Sequence, residues 1–422
     1  METSCGVIAL LLTTLLSSSA AAASAAFIHQ PKSRVVNHGK IGQKTCLNAE
    51  GFKEVNKRLG CGLAPPSGNL ELYDPNEEGK LQGTNQLQDR VSLASEFSPI
   101  PEHTIPSSPD IVRAENWLEH YHHNNLPLNF AKPSAPVTAT VLGRARIIGQ
   151  DAPGDIEHIV MKLPEGMHYV EGQSLSVIPP GTNPTNGKKH APRLYSIAST
   201  RYGDMLDGNT VSLCVRRAEY WDPITNQVDD TKKGVCSNFL CDAVPGTVVE
   251  VAGPVGKTML LPEDNNRDVI MVATGTGIAP FRGFMHRLFM ENTVSRHLFG
   301  GTAWLVLGVP VTSGLLYQRE FEKMKENATP GSLKIDYAIS REMKNQSGGK
   351  MYVQDVIAQN ADDIFHRLFK SKNKANMYFC GLKGMMPPIL ETFEKIAEEK
   401  GMDWNAMMKE LKANNQWHVE VY

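Results

Sequence analysis

The sequence predicts a two-domain α+β fold, in which an antiparallel β-barrel or sandwich precedes an α/β domain with a parallel wound sheet. Two features support this prediction. From about Pro136, short Val-rich and Ile-rich runs alternate with turn signals, and after about Pro262, apolar runs alternate with helical patterns. The 422 residues suffice for two domains and an additional N-terminal targeting and linker region.

Turns rich in Pro, Gly and Asp divide the first of these regions into short segments. They occur at residues 151–154, 164–166, 179–187, 203–208 and 245–246. The runs between them have the length and composition of strands, and this spacing is typical of an antiparallel barrel or sandwich. We place this domain at residues 132–262.

The second region alternates between strand and helix patterns. Apolar strands are predicted at 269–273, 303–307, 334–338 and 377–380, and helices at 280–291, 316–326, 351–369 and 388–400. Such alternation is typical of a parallel sheet covered by helices. We place this second domain at residues 263–422.

The first 49 residues have the pattern of a targeting region. An apolar run at 7–16 precedes a small-residue stretch at 17–26, as in a secretory signal peptide. No acidic residue occurs from Thr3 to Ala49, whereas Lys and Arg do. The combination resembles a two-part plastid leader, and Ala26–Phe27 resembles the leader junction of algae with secondary red-lineage plastids. A plain secreted protein is the alternative.

Residues 50–131 are rich in Pro, Gly, Asn and Ser and show little apolar periodicity. The exception is near residues 110–123, where Ile111, Trp117, Leu118 and Tyr121 lie at helical spacing. We predict a mostly irregular linker with one short amphipathic helix. This helix either packs on the core, which we favour, or binds a partner.

Charge and cysteine content exclude some functional classes. The formal net charge of −2 gives no bulk attraction to nucleic acid. Seven cysteines without a CxxC pair argue against a disulfide framework and against a zinc or iron–sulfur site. We interpret Cys236 and Cys241 as small buried side chains.

Several segments carry residues suited to phosphates and flat ring systems. In segment 193–200, Arg193 offers a bidentate cation for a phosphate, Tyr195 a flat face and Ser196 a hydroxyl. In segment 273–280, Gly275 and Gly277 follow a strand and precede a helix, so the backbone can approach a phosphate closely. The remaining segments are 211–220, 234–240, 340–352, 380–385 and 417–422.

Segment 340–352 suits a 2′-phosphate. It contains a Ser hydroxyl, an Arg fork, a Lys and a Tyr hydroxyl, at Ser340, Arg341, Lys350 and Tyr352. An Asp or Glu in this region would suit the ribose hydroxyl of NAD instead. The four residues together suit NADP, and a solvated basic surface is the alternative interpretation of any one of them.

In their order and sequence, the seven segments resemble the plant-type (plastid) ferredoxin–NADP⁺ reductase family, over about residues 132–422. The resemblance implies a Greek-key β-barrel that binds FAD and a wound sheet that binds NADP. It implies an FAD-dependent oxidoreductase that passes electrons from two reduced ferredoxins to NADP⁺ as a hydride, reversibly. It does not extend to residues 1–130.

The resemblance also implies site residues. Tyr195 and Tyr220 would stack on the flavin ring and the adenine, and the amides at the start of helix 234–240 would meet the pyrophosphate. The implied FAD contacts are Arg193, Leu194, Tyr195, Ser196, Cys214, Val215, Arg216, Tyr220, Val235, Cys236 and Ser237. Many plant members carry Lys at the position of Arg216; either cation can meet a phosphate, with different geometry.

For the nicotinamide side, the resemblance implies a different set. The implied NADP contacts are Thr276, Val309, Pro310, Ser340, Arg341, Lys350, Tyr352, Gly381 and Leu382. The implied catalytic residues are Ser196, Cys380, Glu420 and Tyr422, with no metal. Cys380 would position the nicotinamide rather than act as a nucleophile, and the terminal Tyr422 would cover the flavin face that the nicotinamide must reach.

An acidic [2Fe–2S] ferredoxin is the implied partner, with flavodoxin as a further candidate. Attraction must come from local patches, for which the candidates are Lys188, Lys189, Arg144, Arg146, Lys257 and Lys412. The implied location is a plastid, in the stroma or peripherally on thylakoids. The alternatives are another NADPH-dependent flavodoxin or diflavin-type reductase, or a non-catalytic tethering protein that retains the fold.

Overall fold

The computed structural model describes residues 117–225 and 227–422. The predictions for the targeting region and for the linker up to residue 116 therefore lie outside the described residues. Within the described part, no helix combines the length and the apolarity that a membrane span requires.

Six antiparallel strands form the first sheet: β1 (Val137–Arg146), β2 (Ile156–Lys162), β3 (Ser174–Ile178), β4 (Arg193–Ser196), β5 (Thr210–Arg216) and β6 (Val248–Val255). Their order is β4-β3-β6-β1-β2-β5, with β6 returning between β1 and β3 as in a Greek key. Ile197 bridges Leu213 across the remaining gap, which closes the sheet into the predicted barrel. The predicted turns separate these strands.

The barrel interior is filled by residues that alternate along the strands, as a period of two requires. Examples are Val141 in β1, Leu213 in β5 and Val251 in β6, all fully buried in one apolar cluster. Helix α1 (Val235–Asp242) adds Cys236, Leu240 and Cys241 to that cluster. The two cysteines are thus buried, as predicted.

Five parallel strands form the second sheet: β7 (Val269–Thr274), β8 (Ala303–Val309), β9 (Leu333–Ile339), β10 (Asn376–Gly381) and β11 (Trp417–Val421). The order is β11-β10-β7-β8-β9, so the direction of winding reverses between β7 and β10. Ligands in wound sheets bind in the crevice at such a reversal, beyond the carboxyl ends of the strands.

Helices cover both faces of this sheet. They are α2 (Ala279–Met285), α3 (Val294–Leu298), α4 (Gln318–Asn327), α5 (Val353–Gln359), α6 (Ala361–Phe365), α7 (Met386–Glu399) and α8 (Trp404–Ala413). Phe281, Phe284 and Phe321 pack on one face, and Ile389 and Phe393 pack on the other.

The four predicted strands of this domain are confirmed, and the predicted helices are present with interruptions. The 280–291 and 351–369 patterns each end in a wider π-helical turn, at His286–Met290 and His366–Lys370, and the second is also broken at Asn360. Sequence reasoning missed β11 and α8. Helix α8 buries only Met407 and Leu411, and β11 lies at the sheet edge, so neither has a strong apolar pattern.

A buried ion network joins the barrel to the wound sheet; we define it as Arg282, Asp204, Glu320, His158 and His286. Arg282 in α2 donates to Asp204 in the barrel (3.0 Å), to Glu320 in α4 (2.9 Å) and to the Ala198 carbonyl oxygen (2.8 Å). His158 and His286 contact Asp204 and Glu320 at 2.9 and 2.5 Å. Because each charge has an opposite partner, the network fixes how the two domains meet.

The segment before β1 also packs on the core. The predicted helix near 110–123 lies outside the described residues up to residue 116, and its described part contains a 3₁₀ turn at Trp117–His120. Leu118 is fully buried against Tyr202 and Leu206. Glu119 pairs with Arg287 (2.7 Å) of the second domain and accepts from the Tyr202 hydroxyl. This segment therefore contacts both domains.

Candidate functional site

The candidate site lies where the carboxyl ends of β7 and β10 meet the barrel. We call the four side chains that meet there the site cluster: Ser174 and Ser196 from the barrel, and Cys380 and Glu420 from the wound sheet. Ser174 lies opposite Ser196 in the β3–β4 pair, and Cys380 lies beside Glu420 in the β10–β11 pair. The Cys380 thiol and the Ser196 hydroxyl share a hydrogen bond. The Ser174 hydroxyl donates to Glu420 Oε1 (2.8 Å).

Cys380 has no exposed surface. Burial, reinforced by the nearby Glu420 carboxylate and partly offset by Ser196, raises the pKa of its thiol to about 12. A thiol of this kind remains protonated at neutral pH, and the nucleophilic form of cysteine is the thiolate. The environment therefore suits a positioning group and not a nucleophile.

Glu420 is half-buried in β11. Burial raises the pKa of its carboxyl group, and the Ser174 hydroxyl lowers it. Sequence reasoning missed Ser174, because a serine in a short buried strand has no local signal of function. Its pairing with Ser196 across β3 and β4 is the feature that could have revealed it.

Close backbone approach explains two glycines at the crevice. A Cβ on Gly277 would lie 2.1 Å from the Cys380 carbonyl oxygen, and a Cβ on Gly381 would lie 2.2 Å from Thr274 Oγ1. Gly381 also has a φ of +143°, which other residues rarely adopt. Gly277 thus serves packing between β7 and β10, whereas Gly275 has open space around its Cα, as a phosphate-binding turn requires.

The terminal Tyr422 lies over this turn. Its hydroxyl is 2.6 Å from Thr276 Oγ1, and the two share a hydrogen bond. Its backbone is fixed, since its amide donates to Gly381 O (3.0 Å) and its carbonyl oxygen accepts from the Lys383 amide (2.8 Å). The ring is nevertheless 59% exposed. Leu382, beside it, is also exposed.

On the barrel side, β4 presents the predicted flavin strand. Leu194 is 63% exposed, and Arg193 is exposed with its guanidinium donating to the Ala191 and Pro192 carbonyl oxygens. Burial raises the pKa of Tyr195 well above its usual value, and its hydroxyl hydrogen-bonds with the Cys236 thiol. This contact fixes the Tyr195 ring between the strand and helix α1.

Helix α1 has a first turn without a side-chain cap. The side chains of Ser237 and Asn238 connect the helix to the chain after β5. Ser237 Oγ accepts from the Ala218 amide (3.1 Å), and Asn238 Nδ2 donates to the Ala218 carbonyl oxygen (2.9 Å). A Cβ on Gly234 would lie 2.6 Å from the Ala218 Cβ. The uncapped amides suit an anion such as the FAD pyrophosphate.

The end of β5 supplies the remaining barrel residues. Arg216 is exposed, and Tyr220 has the Lys232 ammonium 4.6 Å from its ring centre, which leaves the opposite ring face for stacking. Cys214, Val215 and Cys236 are buried, so they would reach a ligand through backbone atoms. Val235 is exposed at the start of α1.

The residues expected at the 2′-phosphate lie together at the ends of β8 and β9. The Ser340 and Arg341 amides donate to the Val309 and Pro310 carbonyl oxygens. A bridge between Lys344 and Lys350 then returns the chain toward Tyr352, which precedes α5. Exposed side chains here are Arg341, Lys350 and Tyr352.

Two carboxylates lie near these residues, those of Glu342 and Asp355, and each already accepts hydrogen bonds from the protein. The Glu342 carboxylate accepts from the Thr312 amide (2.9 Å) and hydroxyl, and Asp355 accepts from the Tyr352 amide (2.7 Å). The hydroxyls and cations therefore form a set that fits a 2′-phosphate.

One member of the expected ferredoxin patch is not on the surface. Arg144 is buried and pairs with Glu157 (3.0 Å), so it cannot contact a partner, and this expectation was wrong. Arg146 is half-buried and pairs with Asp155 (2.9 Å). Lys188, Lys189, Lys257 and Lys412 are exposed.

Comparisons with known proteins show what the chain as a whole is similar to. The oxidoreductase NAD-binding domain family matches residues 271–390. The chain is 54% identical over 298 residues to a chloroplastic ferredoxin–NADP reductase (embryo isozyme) of Oryza sativa subsp. japonica, covering 70% of this chain and 78% of that protein. It is 51% identical over 299 residues to the chloroplastic enzyme of Chlamydomonas reinhardtii, covering 70% and 83%. It is 48% identical over 298 residues to the cyanelle enzyme of Cyanophora paradoxa, covering 71% and 80%.

Solved structures show the same fold. The chain superposes on a ferredoxin–NADP⁺ reductase from Plasmodium falciparum with a TM-score of 0.54, at 24% sequence identity, covering 70% of this chain and 99% of that one. The barrel and the wound sheet are thus an arrangement shared with that structure.

Proposed function

The chain belongs to the ferredoxin–NADP⁺ reductase family, and from this premise we propose that it passes electrons from reduced ferredoxin through FAD to NADP⁺ in a plastid. The observation that carries the proposal is the site cluster. Barrel residues suited to a flavin ring and wound-sheet residues suited to a nicotinamide meet there, in direct hydrogen-bond contact.

FAD would lie along β4 and the first turn of α1. The Tyr195 ring would support the flavin ring, and the uncapped amides of α1 together with Arg193 would hold the pyrophosphate. The free face of Tyr220 would take the adenine, and Arg216 a phosphate. Bound FAD supplies the exchange between single-electron and hydride transfer, which no side chain provides.

NADP would span the crevice between β7 and β10. The open turn at Gly275–Thr276 would hold its pyrophosphate, and the group Ser340, Arg341, Lys350 and Tyr352 would hold the 2′-phosphate. Cys380, kept protonated by burial, and Ser196 would position the nicotinamide at the flavin edge, with Glu420 beside them.

Tyr422 would act as a gate. Its ring lies over the crevice and is anchored through its backbone and through Thr276, while most of its surface remains exposed. A nicotinamide that needs the same place must displace the ring, which lowers its apparent affinity by the fraction of sites that are open. The gate would thereby speed product release.

The partner is a ferredoxin, and flavodoxin would be an alternative partner at the same surface. Exposed Lys188, Lys189, Lys257 and Lys412 supply positive charge for an acidic protein. The chloroplast and cyanelle relatives support a plastid location, and we extend this to the stroma or thylakoid surface of a secondary red-lineage plastid. We further propose domain limits of 132–262 and 263–422, since β6 ends at Val255 and β7 begins at Val269.

Steady-state kinetics of the purified protein with quantified FAD tests the proposal. We expect one FAD per chain, NADPH-dependent reduction of dye and of ferredoxin-coupled cytochrome, and strong preference for NADPH over NADH. A protein that binds no flavin after incubation with FAD would contradict the proposal. A flavin-bound protein without NADPH oxidation would favour the tethering alternative.

A further inference from the structure

We infer that Ser174 is a positioning residue for hydride transfer, which orients the Glu420 carboxylate across the boundary between the two domains. This inference deepens the proposed function and rests on the role proposed there for Glu420. It assigns a task to a barrel residue to which the proposed function gives none.

Geometry is the first reason. Ser174 Oγ donates to Glu420 Oε1 at 2.8 Å, a good distance for an O–H···O hydrogen bond, and this bond joins residues 246 positions apart in the chain. The bond engages one carboxylate oxygen. The second oxygen, Oε2, is then directed by the first, so the hydroxyl decides how the carboxylate faces the nicotinamide position.

Register is the second reason. Ser174 and Ser196 are direct neighbours across the antiparallel β3–β4 pair, and such neighbours point to the same side of a sheet. Cys380 and Glu420 are neighbours across the parallel β10–β11 pair. Two serines of the barrel therefore face two wound-sheet residues, Ser196 toward Cys380 and Ser174 toward Glu420. If Ser196 positions Cys380, Ser174 has the equivalent relation to Glu420.

The third reason is that the backbone around Ser174 is unusually well fixed. Gly172 packs against the Met259 carbonyl oxygen, which would lie 1.4 Å from any Cβ at that position. The fully buried Gln173 donates to the Pro127 and Gly256 carbonyl oxygens and accepts from the Val170 amide. A side chain on such a rigid support holds its partner in one orientation at little entropic cost.

The pH dependence follows from the groups that face Glu420. The Cys380 thiol faces it from β10, and the neutral Ser174 hydroxyl faces it from the barrel; Tyr422 follows two residues later, just after β11. A donated hydrogen bond favours the ionised carboxylate. Removing the hydroxyl therefore raises the pKa of Glu420 above its already raised position.

The test compares Ser174→Ala, Ser174→Thr, Glu420→Ala and the Ser174→Ala/Glu420→Ala double variant in the FAD-bound full chain. Ser176→Ala is the matched control, since Ser176 is another buried serine of β3. FAD content and thermal unfolding are recorded first. The turnover number kcat and the KM for NADPH are then measured from acidic to alkaline pH.

We expect Ser174→Ala to lower kcat by about threefold to tenfold, with KM changed less than twofold, which is the range for the loss of one hydrogen bond of ordinary strength. The limb of the pH profile that Glu420→Ala abolishes should move to higher pH in Ser174→Ala. Ser174→Thr should restore both, because it keeps the hydroxyl. In the Glu420→Ala background, Ser174→Ala should have no further effect.

Thermal unfolding gives a readout that is independent of turnover. A carboxyl whose folded pKa is raised contributes most stability at low pH and loses it as pH rises. Ser174→Ala should therefore be more destabilised relative to wild type at alkaline than at acidic pH, whereas the Ser176→Ala difference should be independent of pH.

The two layers of the proposal fail differently. Suppose that Glu420→Ala lowers kcat but Ser174→Ala leaves both kcat and the pH profile unchanged. This result would overturn the inference and leave the proposed function intact. Equal losses from Ser174→Ala in the presence and absence of Glu420 would also overturn it. A Glu420→Ala variant with wild-type turnover would refute the role proposed for Glu420, and the inference with it.

Discussion

The buried ion network and the site cluster both join the barrel to the wound sheet, but they use different chemistry. In the network, Arg282 is fully buried and is shared between Asp204 and Glu320, so charges of opposite sign are paired in the interior. In the site cluster, the contacts involve hydroxyls, a protonated thiol and one carboxyl group.

This difference separates two tasks. Removing one partner from a buried charge pair costs about 3–5 kcal/mol, whereas a neutral hydrogen bond contributes about 0.5–1.5 kcal/mol. The network can therefore hold the domain orientation while contacts at the site are exchanged for contacts with a ligand. The same contrast applies to Tyr422, whose hydrogen bond to Thr276 is a single weak contact at an exposed ring.

Breaking the network should have the largest effect. Arg282→Met deprives Asp204 and Glu320 of the buried guanidinium that they share, and we expect it to lower the free energy of unfolding by about 3–5 kcal/mol. Denaturant unfolding measures this. Arg319→Met, which removes an exposed arginine in the first turn of α4, should change stability by less than about 0.5 kcal/mol. Equal stability of the two variants would show that the network does not fix the interface.

A second buried carboxylate, Glu171, is also paired with arginines, and its contribution to stability should depend on pH. Burial opposes ionisation of Glu171, but Arg201 and Arg287 outweigh it and lower the pKa of this carboxyl group to about 2. A lowered pKa contributes stability that is present above the unfolded value and is lost as pH falls through the folded value. The stability difference between wild type and Glu171→Gln should thus be largest near neutral pH and shrink between about pH 4.5 and 2. A difference that does not change with pH would contradict the pairing.

At the other end of the crevice, Arg341 supplies charge at an exposed position. Arg341→Ala should lose most of the preference for NADPH over NADH, by about 1.5–3 kcal/mol, the value of a hydrogen bond to a charged group. The ratio of kcat/KM for the two nucleotides measures it. Lys372→Ala, another exposed cation, is the control. An unchanged ratio in Arg341→Ala would mean that the 2′-phosphate binds elsewhere.

Much of the fold and part of the site could be predicted from the sequence because their signals are local. The glycine turn at Gly275–Gly277 lies between a strand and a helix, and Cys380 ends an apolar strand, so both positions were visible in a short window. The alternation along the strands and the turn residues likewise predicted the barrel and strands β7 to β10 of the wound sheet.

Other features depend on partners distant in the sequence. Arg144 on a barrel strand looks like a surface charge until Glu157 on β2 is placed beside it. Ser174 acquires its partner only when β11 reaches the barrel. The edge strand β11 itself has a mixed pattern of burial, because only part of it is covered. Pairings of this kind are set by tertiary packing and leave no local pattern.

The most direct test asks whether a nicotinamide nucleotide displaces the ring of Tyr422 from the crevice. Flavin difference spectroscopy should be used to titrate wild type, Tyr422→Ser and Tyr422→Trp with NADP⁺ and with NAD⁺. Since Tyr422→Ser removes the competing ring, we expect it to bind both nucleotides more tightly, to discriminate less between them and to turn over more slowly with NADPH. Tyr422→Trp, which keeps an aromatic ring, should change much less. Weaker or unchanged nucleotide binding in Tyr422→Ser would contradict the gate and show that the ring only packs against the site.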